Sequence, residues 1–543
     1  MLSPRFLLPV FLALGCSTSD VSTDAKNDTP QDTEASTPSF EPFPVAITPG
    51  ESIGDVSIGM TYEELVDIWG EPDQVLSFQR TITLEYRFKR VEVLFTSSNA
   101  TELSADARIR ALGTMTGATV IGDLQLGIDR EALSQWGAIN IESEVRSVAY
   151  LTELGLGVKF DANGLVERYA VWPAYELDPN PPKMIPASTE RTVEESLGGE
   201  STIRYEANGT SFEVVDMHLH VSEPQSQVAS GIASLLDQLP TQAVMYFPAT
   251  ATLTLDPYGQ HLGIKSHLEE AGVAHGVILS TYTHHTIGFA ENSLLESMLN
   301  DPRNTTQDGS RWAWGMASIN FDDFDNPAIS TTRLAALASY FEKRPDLFIG
   351  IKLAHAHQGV SFNDPLYTEL YDIAATHDVP VLLHTGFSPF PNTMTEPEYY
   401  DPASLESVVQ AYEGKEGGPK VNFVLSHVGQ GDARAIEHSL AMAEVYDNVW
   451  LELSAINRPL LIDADGNAVD SDEAMHTYVL SEIKARGLIQ KSIFATDGPQ
   501  YFGKVQAYLK LLTEAMVDLG YNNTEIQAVL ADNFYRCYRP NEK

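Results

Sequence analysis

The chain has 543 residues, enough for two to four domains or for one large barrel with accessory units. Its 34 Lys+Arg stand against 75 Asp+Glu, a formal net charge of −41, while 43% of the residues are hydrophobic. A sizeable core is therefore available, but the charge repels phosphate backbones and anionic headgroups, which argues against nucleic acid as a partner.

The opening stretch MLSPRFLLPVFLALGC reads as a targeting segment rather than as structure. Arg5 is followed by an apolar run from Phe6 to Leu14, too short for a stable bilayer span, and then by Gly15 and Cys16. The sequence A-L-G-C resembles the lipobox of bacterial lipoproteins, with Ala13 where Leu is usual. That resemblance implies removal of residues 1–15, lipidation of Cys16 and, with Ser17 next, export to the outer membrane of a bacterial cell envelope. The other cysteine is Cys537, so lipidation of Cys16 leaves no intramolecular disulfide. Residues 16–47, rich in Ser, Thr, Asp and Pro, bury too little apolar surface to offset chain entropy and are expected to be a disordered tether.

Residues 48–180 contain an internal repeat, at about 48–115 and 116–175. SIGDVSIGMTYEELVDIWGEPD, from Ser52, aligns with VIGDLQLGIDREALSQWGAINI, from Val120, pairing Gly54, Gly59 and Trp69-Gly70 with Gly122, Gly127 and Trp136-Gly137. Alternating segments follow each predicted helix, with Asn163-Gly164 at a turn, so each copy is expected to be a helix on a small antiparallel sheet. The arrangement resembles the small α+β modules of outer-membrane-assembly lipoproteins and of the tandem β-lactamase-inhibitor-protein fold, through the G-M-T helix signature from Gly59 to Pro72. It implies an envelope protein partner rather than catalysis.

A Pro- and Gly-rich linker is expected over 181–210, and from 211 to 543 the pattern changes. VVDMHLHV, GVAHGVILS, WAWGMASIN, LFIGIKLAH, VPVLLHTG, VNFVLSHVG, VWLELS and SIFATDG alternate with amphipathic helical stretches. Eight strands with intervening helices fit an α/β (β/α)8 TIM barrel better than an open sheet. The stretch AVMYFPATATLTL between the first two strands finds no place in this scheme.

In DMHLH, residues i and i+2 of a strand share a face, so His218 and His220 project side by side and are able to bind one metal ion. Strand 5 ends in His384, strand 6 in His427 and strand 8 in Asp497. All five sit at strand C-terminal ends, where this barrel builds its active sites.

DMHLH, GIKL, VPVLLHTG, VLSHVG and FATDGP, in this order, resemble the amidohydrolase superfamily and within it the amidohydrolase-2 family of hydrolases and decarboxylases. The resemblance spans about residues 212–540, including ADNFYRCYR as a closing helix. It implies one divalent metal ion, zinc foremost, held by His218, His220, His384 and Asp497, a donor set that suits zinc with one position left open. It also implies catalytic roles for Asp497, as proton acceptor, and for His427, which orients the nucleophile or the substrate oxygen. Lys352, where binuclear relatives carry a carboxylated bridging lysine, is read as a substrate-carboxylate or structural contact. His355 is read as a substrate contact, and His357, His284 and His285 lie on loops within reach. DADGNAVDSDE, from Asp463, lacks the Gly and Glu of an EF-hand and reads as an acidic surface loop.

The implied function is a metal-dependent hydrolase, with activated water attacking a C–N or C–O bond of a small molecule. A non-oxidative decarboxylase on the same scaffold is the alternative, and an inactive envelope-binding barrel the third reading. The complete ligand set speaks against the last.

Overall fold

A computed structural model describes residues 43–540 except 79–80, 97–102, 106, 140, 152–153, 173–202, 222–228, 239–243, 246–259, 301–310, 389 and 499–503. The targeting segment, Cys16, nearly all of the tether, most of the linker and most of the AVMYFPATATLTL stretch lie outside the described residues.

The two aligned N-terminal segments each contribute a helix and four strands of one shared sheet. Helix Tyr62–Trp69 starts in a capping box, in which Thr61 Oγ1 accepts from Glu64 N at 3.2 Å and Thr61 N donates to the Glu64 carboxylate at 2.8 Å. It stops at Gly70, whose φ of 77° lies in the left-handed region. The second helix, Arg130–Ser134, is shorter and is capped by Asp129. The strands form one antiparallel sheet in the order 74–78, 81–86, 91–96, 109–114, 166–171, 156–160, 148–151, 141–143. The two halves therefore meet through their last strands, where Ala170 pairs with Gly113 and Val171 with Leu112. Leu65, Val93, Phe95, Leu112, Leu133, Leu156 and Tyr169 fill a core separate from that of the barrel. Tyr150 donates a hydrogen bond to the carbonyl of Val244, which ties this sheet to the barrel.

Within the segment read as linker, the chain already pairs. Tyr205–Ala207 and Thr210–Phe212 form a hairpin whose turn residues, Asn208 and Gly209, have φ of 51° and 71°. Asn-Gly supplies the two positive φ values that a two-residue hairpin demands, a signal that the polar composition concealed.

The barrel follows as a parallel eight-stranded sheet: β1 (Val215–His220), β2 (His275–Leu279), β3 (Ala313–Ala317), β4 (Phe348–Leu353), β5 (Val381–His384), β6 (Phe423–Ser426), β7 (Val449–Glu452) and β8 (Ser492–Ile493). The strands are buried on both faces, which is why they read as continuous apolar runs. Closure runs through the backbone beyond β8: His220 N donates to Gly498 O at 2.9 Å and Gly498 N to His218 O at 3.2 Å. Inside, Met217, Val277, Met316, Ile349, Leu382, Val424 and Ile493 pack with Phe534, Cys537 and Tyr538 of helix Asn533–Tyr538. That helix plugs the N-terminal end of the barrel, with Asn422, just before β6, donating to Cys537 O at 3.3 Å. The opposite end is left for polar groups.

Gly386, just past β5, has φ of 92°, and a Cβ there would lie 2.4 Å from the backbone N and O of Gln430. Gly386→Ala combines left-handed backbone with a backbone clash and is expected to cost about 2–4 kcal/mol. Chemical denaturation of wild type and variant measures this, and an unchanged midpoint would contradict the close approach.

Candidate metal centre

The site is assembled by the seam between β1 and the segment after β8. Asp216 is fully buried and accepts from His218 N at 3.2 Å, Thr496 N at 3.0 Å and Thr496 Oγ1 at 2.6 Å. Burial pushes its carboxyl up to about 7 against those three donors. The clamp sets Asp497 beside the two β1 histidines. His220 Nε2 lies 3.0 Å from Asp497 Oδ1 and 3.0 Å from His218 Nε2, and His218 Nε2 lies 3.5 Å from the same carboxylate oxygen. One ligand atom from each of His218, His220 and Asp497 lies within 4.8 Å of the others. This group can hold a metal ion.

A second group shares His218 through its other face. His218 Nδ1 lies 3.5 Å from Glu452 Oε2, and His218, His427 and Glu452 form the other cluster able to hold a metal among the described residues. Glu452 ends β7 and is fully buried; it accepts from His427 N at 3.1 Å, Ser454 N at 3.1 Å and Ser454 Oγ at 3.0 Å. Burial pushes its carboxyl up, and these donors oppose the shift. Because Ser454 gives its proton to Glu452, its oxygen accepts from His427 Nδ1 at 2.7 Å. His427 therefore presents an unprotonated Nε2 when neutral.

His384 stands outside both groups. Its ring lies 4.8 Å from that of His427 and 5.1 Å from that of His357, and its buried Nε2 has no hydrogen-bond partner. A buried polar atom left unpaired is costly, so this nitrogen calls for a ligand. Together with the imidazoles and carboxylate of His218, His220 and Asp497, it makes a donor set that fits a divalent ion such as zinc. Burial holds His218 and His384 well below the ordinary imidazole range, so both are neutral, the form in which an imidazole can ligate. Burial alone would raise Asp497, but the His220 hydrogen bond and the neighbouring His218 and His427 hold its carboxyl well below the usual carboxylate range.

Three residues of the site have left-handed backbone: His427 at φ 64°, Val428 at 50° and Asp497 at 55°. For non-glycine residues this stores strain, about 1–3 kcal/mol each, and such strain concentrates where side chains must be aimed.

The remaining expected residues are placed as follows. Lys352, on β4, is buried and donates to Ser426 Oγ at 3.3 Å; burial pushes its ammonium down to about 8. His355 is fully buried with Nδ1 2.8 Å from the Tyr367 hydroxyl and its ring against Phe362, while its Nε2 has no hydrogen-bond partner. His357 is also buried, and its Nδ1 meets Thr286 Oγ1 at 2.8 Å. His284 and His285 lie at the turn of a hairpin after β2 and face Asp322 at 3.9 and 3.1 Å. Asp463 does not show a cation loop: its Oδ1 accepts from Asp465 N and Asn467 N, a local turn.

The sequence reading passed over Asp216, Glu452, Ser454, Arg458 and Lys504. Glu452 was within reach, since VWLELS places an acid at the C-terminal end of an apolar strand, the same signal that marked His384. Lys504, which donates to Asp497 O at 2.6 Å, comes from a helix and carries no such mark.

Residues 329–539 match the family model described as amidohydrolase. This part of the barrel is amidohydrolase-like. No curated protein matches the chain significantly. Among solved structures, an uncharacterised TIM-barrel protein from Bordetella bronchiseptica matches with 14% identity over 61% of this chain and 100% of its own, at a TM-score of 0.43. The 5-carboxyvanillate decarboxylase of Sphingomonas paucimobilis matches with 12% identity over 61% and 99%, at 0.37. A 2,6-dihydroxybenzoate decarboxylase from Rhizobium matches with 13% identity over 60% and 99%, at 0.38. Other matched structures carry hydrolase names. At these scores none of them bears on reaction or substrate.

A carboxylate facing the far nitrogen of a ligating histidine fixes its tautomer and raises its basicity, and its loss typically weakens metal binding about 10–100-fold. Glu452→Gln is accordingly expected to weaken zinc binding by roughly that factor, with Glu452→Asp recovering part of it. Competitive chelator titration reads this directly; equal affinities for wild type and Glu452→Gln would remove Glu452 from the site.

Proposed function

We propose that the barrel mouth is the metal centre of a hydrolase that cleaves a C–N or C–O bond of a small molecule. One observation carries this reading: the half-buried Asp497 carboxylate lies within 3.5 Å of the Nε2 atoms of both His218 and His220. Bound among these residues and His384, a divalent ion, zinc foremost, supplies Lewis-acid polarisation of the reacting group.

The chain's own residues supply the rest. Asp497, held ionised, accepts the proton that water gives up as it attacks. His427, locked by the Ser454–Glu452 chain with Nδ1 as donor, offers Nε2 as an acceptor for a second proton or for a hydroxyl of the substrate. Its burial, although opposed by Asp497 and Glu452, keeps it neutral, so that Nε2 stays available as a hydrogen-bond acceptor. His218 and His427 are buried, which strengthens each electrostatic contact they make.

Purified full-length protein is expected to carry about one divalent ion per chain. Asp497→Asn keeps the size of the side chain but removes the base, so turnover is expected to fall about 10²–10⁴-fold on any substrate found in an ester, lactone, amide and aromatic-acid panel. His384→Asn is expected to lose metal and activity together. Metal analysis beside turnover decides: an active protein without metal, or an Asp497→Asn variant at wild-type rate, refutes the mechanism.

For the N-terminus we propose lipid anchoring at Cys16 in the cell envelope, supported by the A-L-G-C motif and the Ser/Thr/Asp-rich segment after it. Cys16→Ala is expected to leave the protein unprocessed or to release it from membranes. Fractionation identical to wild type would overturn the anchor.

A further inference from the structure

The N-terminal sheet has two corresponding hairpins, one in each repeat. Strands Thr81–Tyr86 and Val91–Thr96 close over Arg87-Phe88-Lys89-Arg90, with Tyr86 paired to Val91. Strands Val148–Leu151 and Leu156–Phe160 close over residues 152–155, T-E-L-G in sequence, with Leu151 paired to Leu156. The last residue of each loop has left-handed backbone, φ 54° at Arg90 and 62° at Gly155. Glycine suits that position, and the second repeat has it. The first repeat keeps an arginine there against the backbone's preference, and it gathers three basic residues in four where the second has none.

The basic tip is held in place and is apolar as well. Lys89 N donates to Tyr86 O at 3.0 Å, Arg87 N to Asp73 Oδ2 at 2.6 Å, and Met115 N to Arg90 O at 2.7 Å. Phe88 is 52% exposed and Phe43 49%, with ring centroids 6.3 Å apart. The Lys89 ammonium lies 4.3 Å from the Phe43 ring centroid and 5.3 Å from that of Trp69, which keeps its charge beside the exposed rings. Arg87 is spent on Glu85 at 3.2 Å, but Lys89 and Arg90 have no carboxylate within ion-pair distance among the described residues. Phe43 N donates to Phe88 O at 3.4 Å, so the chain enters the described fold on this tip.

Exposed phenylalanines beside unpaired cations match the boundary of an anionic bilayer: the rings suit the layer between headgroups and acyl chains, the cations suit lipid phosphates. The net charge of −41 does not forbid such contact, because the field of distant acids is screened beyond about 8 Å at physiological ionic strength. The entry point adds direction, since a membrane that holds the residues before Phe43 meets this tip ahead of the rest of the fold. We propose that the Arg87–Arg90 tip and Phe43 form a membrane-docking surface, seated on anionic phospholipid with both rings in the headgroup boundary and with Lys89 and Arg90 on lipid phosphates. This goes beyond the metal-centre reading and does not depend on it.

The test is flotation of residues 16–543 carrying Cys16→Ser, so that neither leader nor lipid contributes, with phosphatidylcholine vesicles with and without phosphatidylglycerol. The chain is expected to float with the anionic vesicles, to bind them more tightly than the neutral ones, and to be released as salt rises. A basic side chain at an anionic surface contributes about fivefold, so Arg90→Gly is expected to lower partitioning about fivefold and Lys89→Gln with Arg90→Gly about 25-fold. Because glycine suits the backbone at position 90, Arg90→Gly is expected to keep or raise the melting temperature, which separates docking from folding. Phe43→Ser with Phe88→Ser is expected to lower partitioning too. Equal binding to both vesicles, or folded variants that partition as wild type does, would overturn the proposal. A wild-type chain that floats with neither vesicle also overturns it and leaves the tip to a protein partner. Since no lipid is attached in this test, its failure leaves the anchor at Cys16 and the metal centre standing.

Discussion

The barrel is closed by a buried carboxylate. β8 is two residues long, and the last strand is joined to the first by the backbone bonds of His218 and His220 with Gly498 and by the two hydrogen bonds that Asp216 accepts from Thr496. An ionised Asp in that position is costly to bury, as its raised pKa shows, and its set of donors opposes that cost. That same clamp brings Asp497 to His218 and His220. Closure of the fold and assembly of the site are one interaction, so the group that holds the seam cannot be exchanged for an apolar residue without displacing a ligand.

Around the seam the site is a concentration of unfavourable choices. Neutral imidazoles are buried with nitrogens unpaired at His218 Nδ1 and His384 Nε2, and His427, Val428 and Asp497 adopt left-handed backbone. Each choice costs stability by itself. The plug of Phe534, Cys537 and Tyr538 at the far end, and the apolar contacts between strands and helices, supply the surplus that tolerates them. Polar strain is thus confined to one end of the barrel and apolar packing to the other.

The fold was legible because both-face burial leaves an unbroken apolar run for each strand, and because the intervals keep helical spacing. Four of the five polar residues singled out in the sequence, His218, His220, His427 and Asp497, fall into the two clusters, each near or beyond the C-terminal end of a strand. His384 ends β5 as read but stands outside both clusters. Glu452 obeys the same rule, as the last residue of β7. Arg458 and Lys504 were not legible, since their positions depend on how a loop and a helix return over the mouth, which no local pattern encodes. The hairpin at 205–212 was hidden for another reason: its signal is a single Asn-Gly pair inside a polar stretch.

Charge separates what acts at a distance from what acts on contact. A chain at −41 presents anions with a repulsive field, but that field decays over about 8 Å at physiological ionic strength. Within the mouth the balance is different, because Lys352, Arg458 and Lys504 are gathered there from a chain with 34 basic residues in all. An anionic ligand gains nothing from steering and everything from the last few ångströms, where low dielectric magnifies each pair.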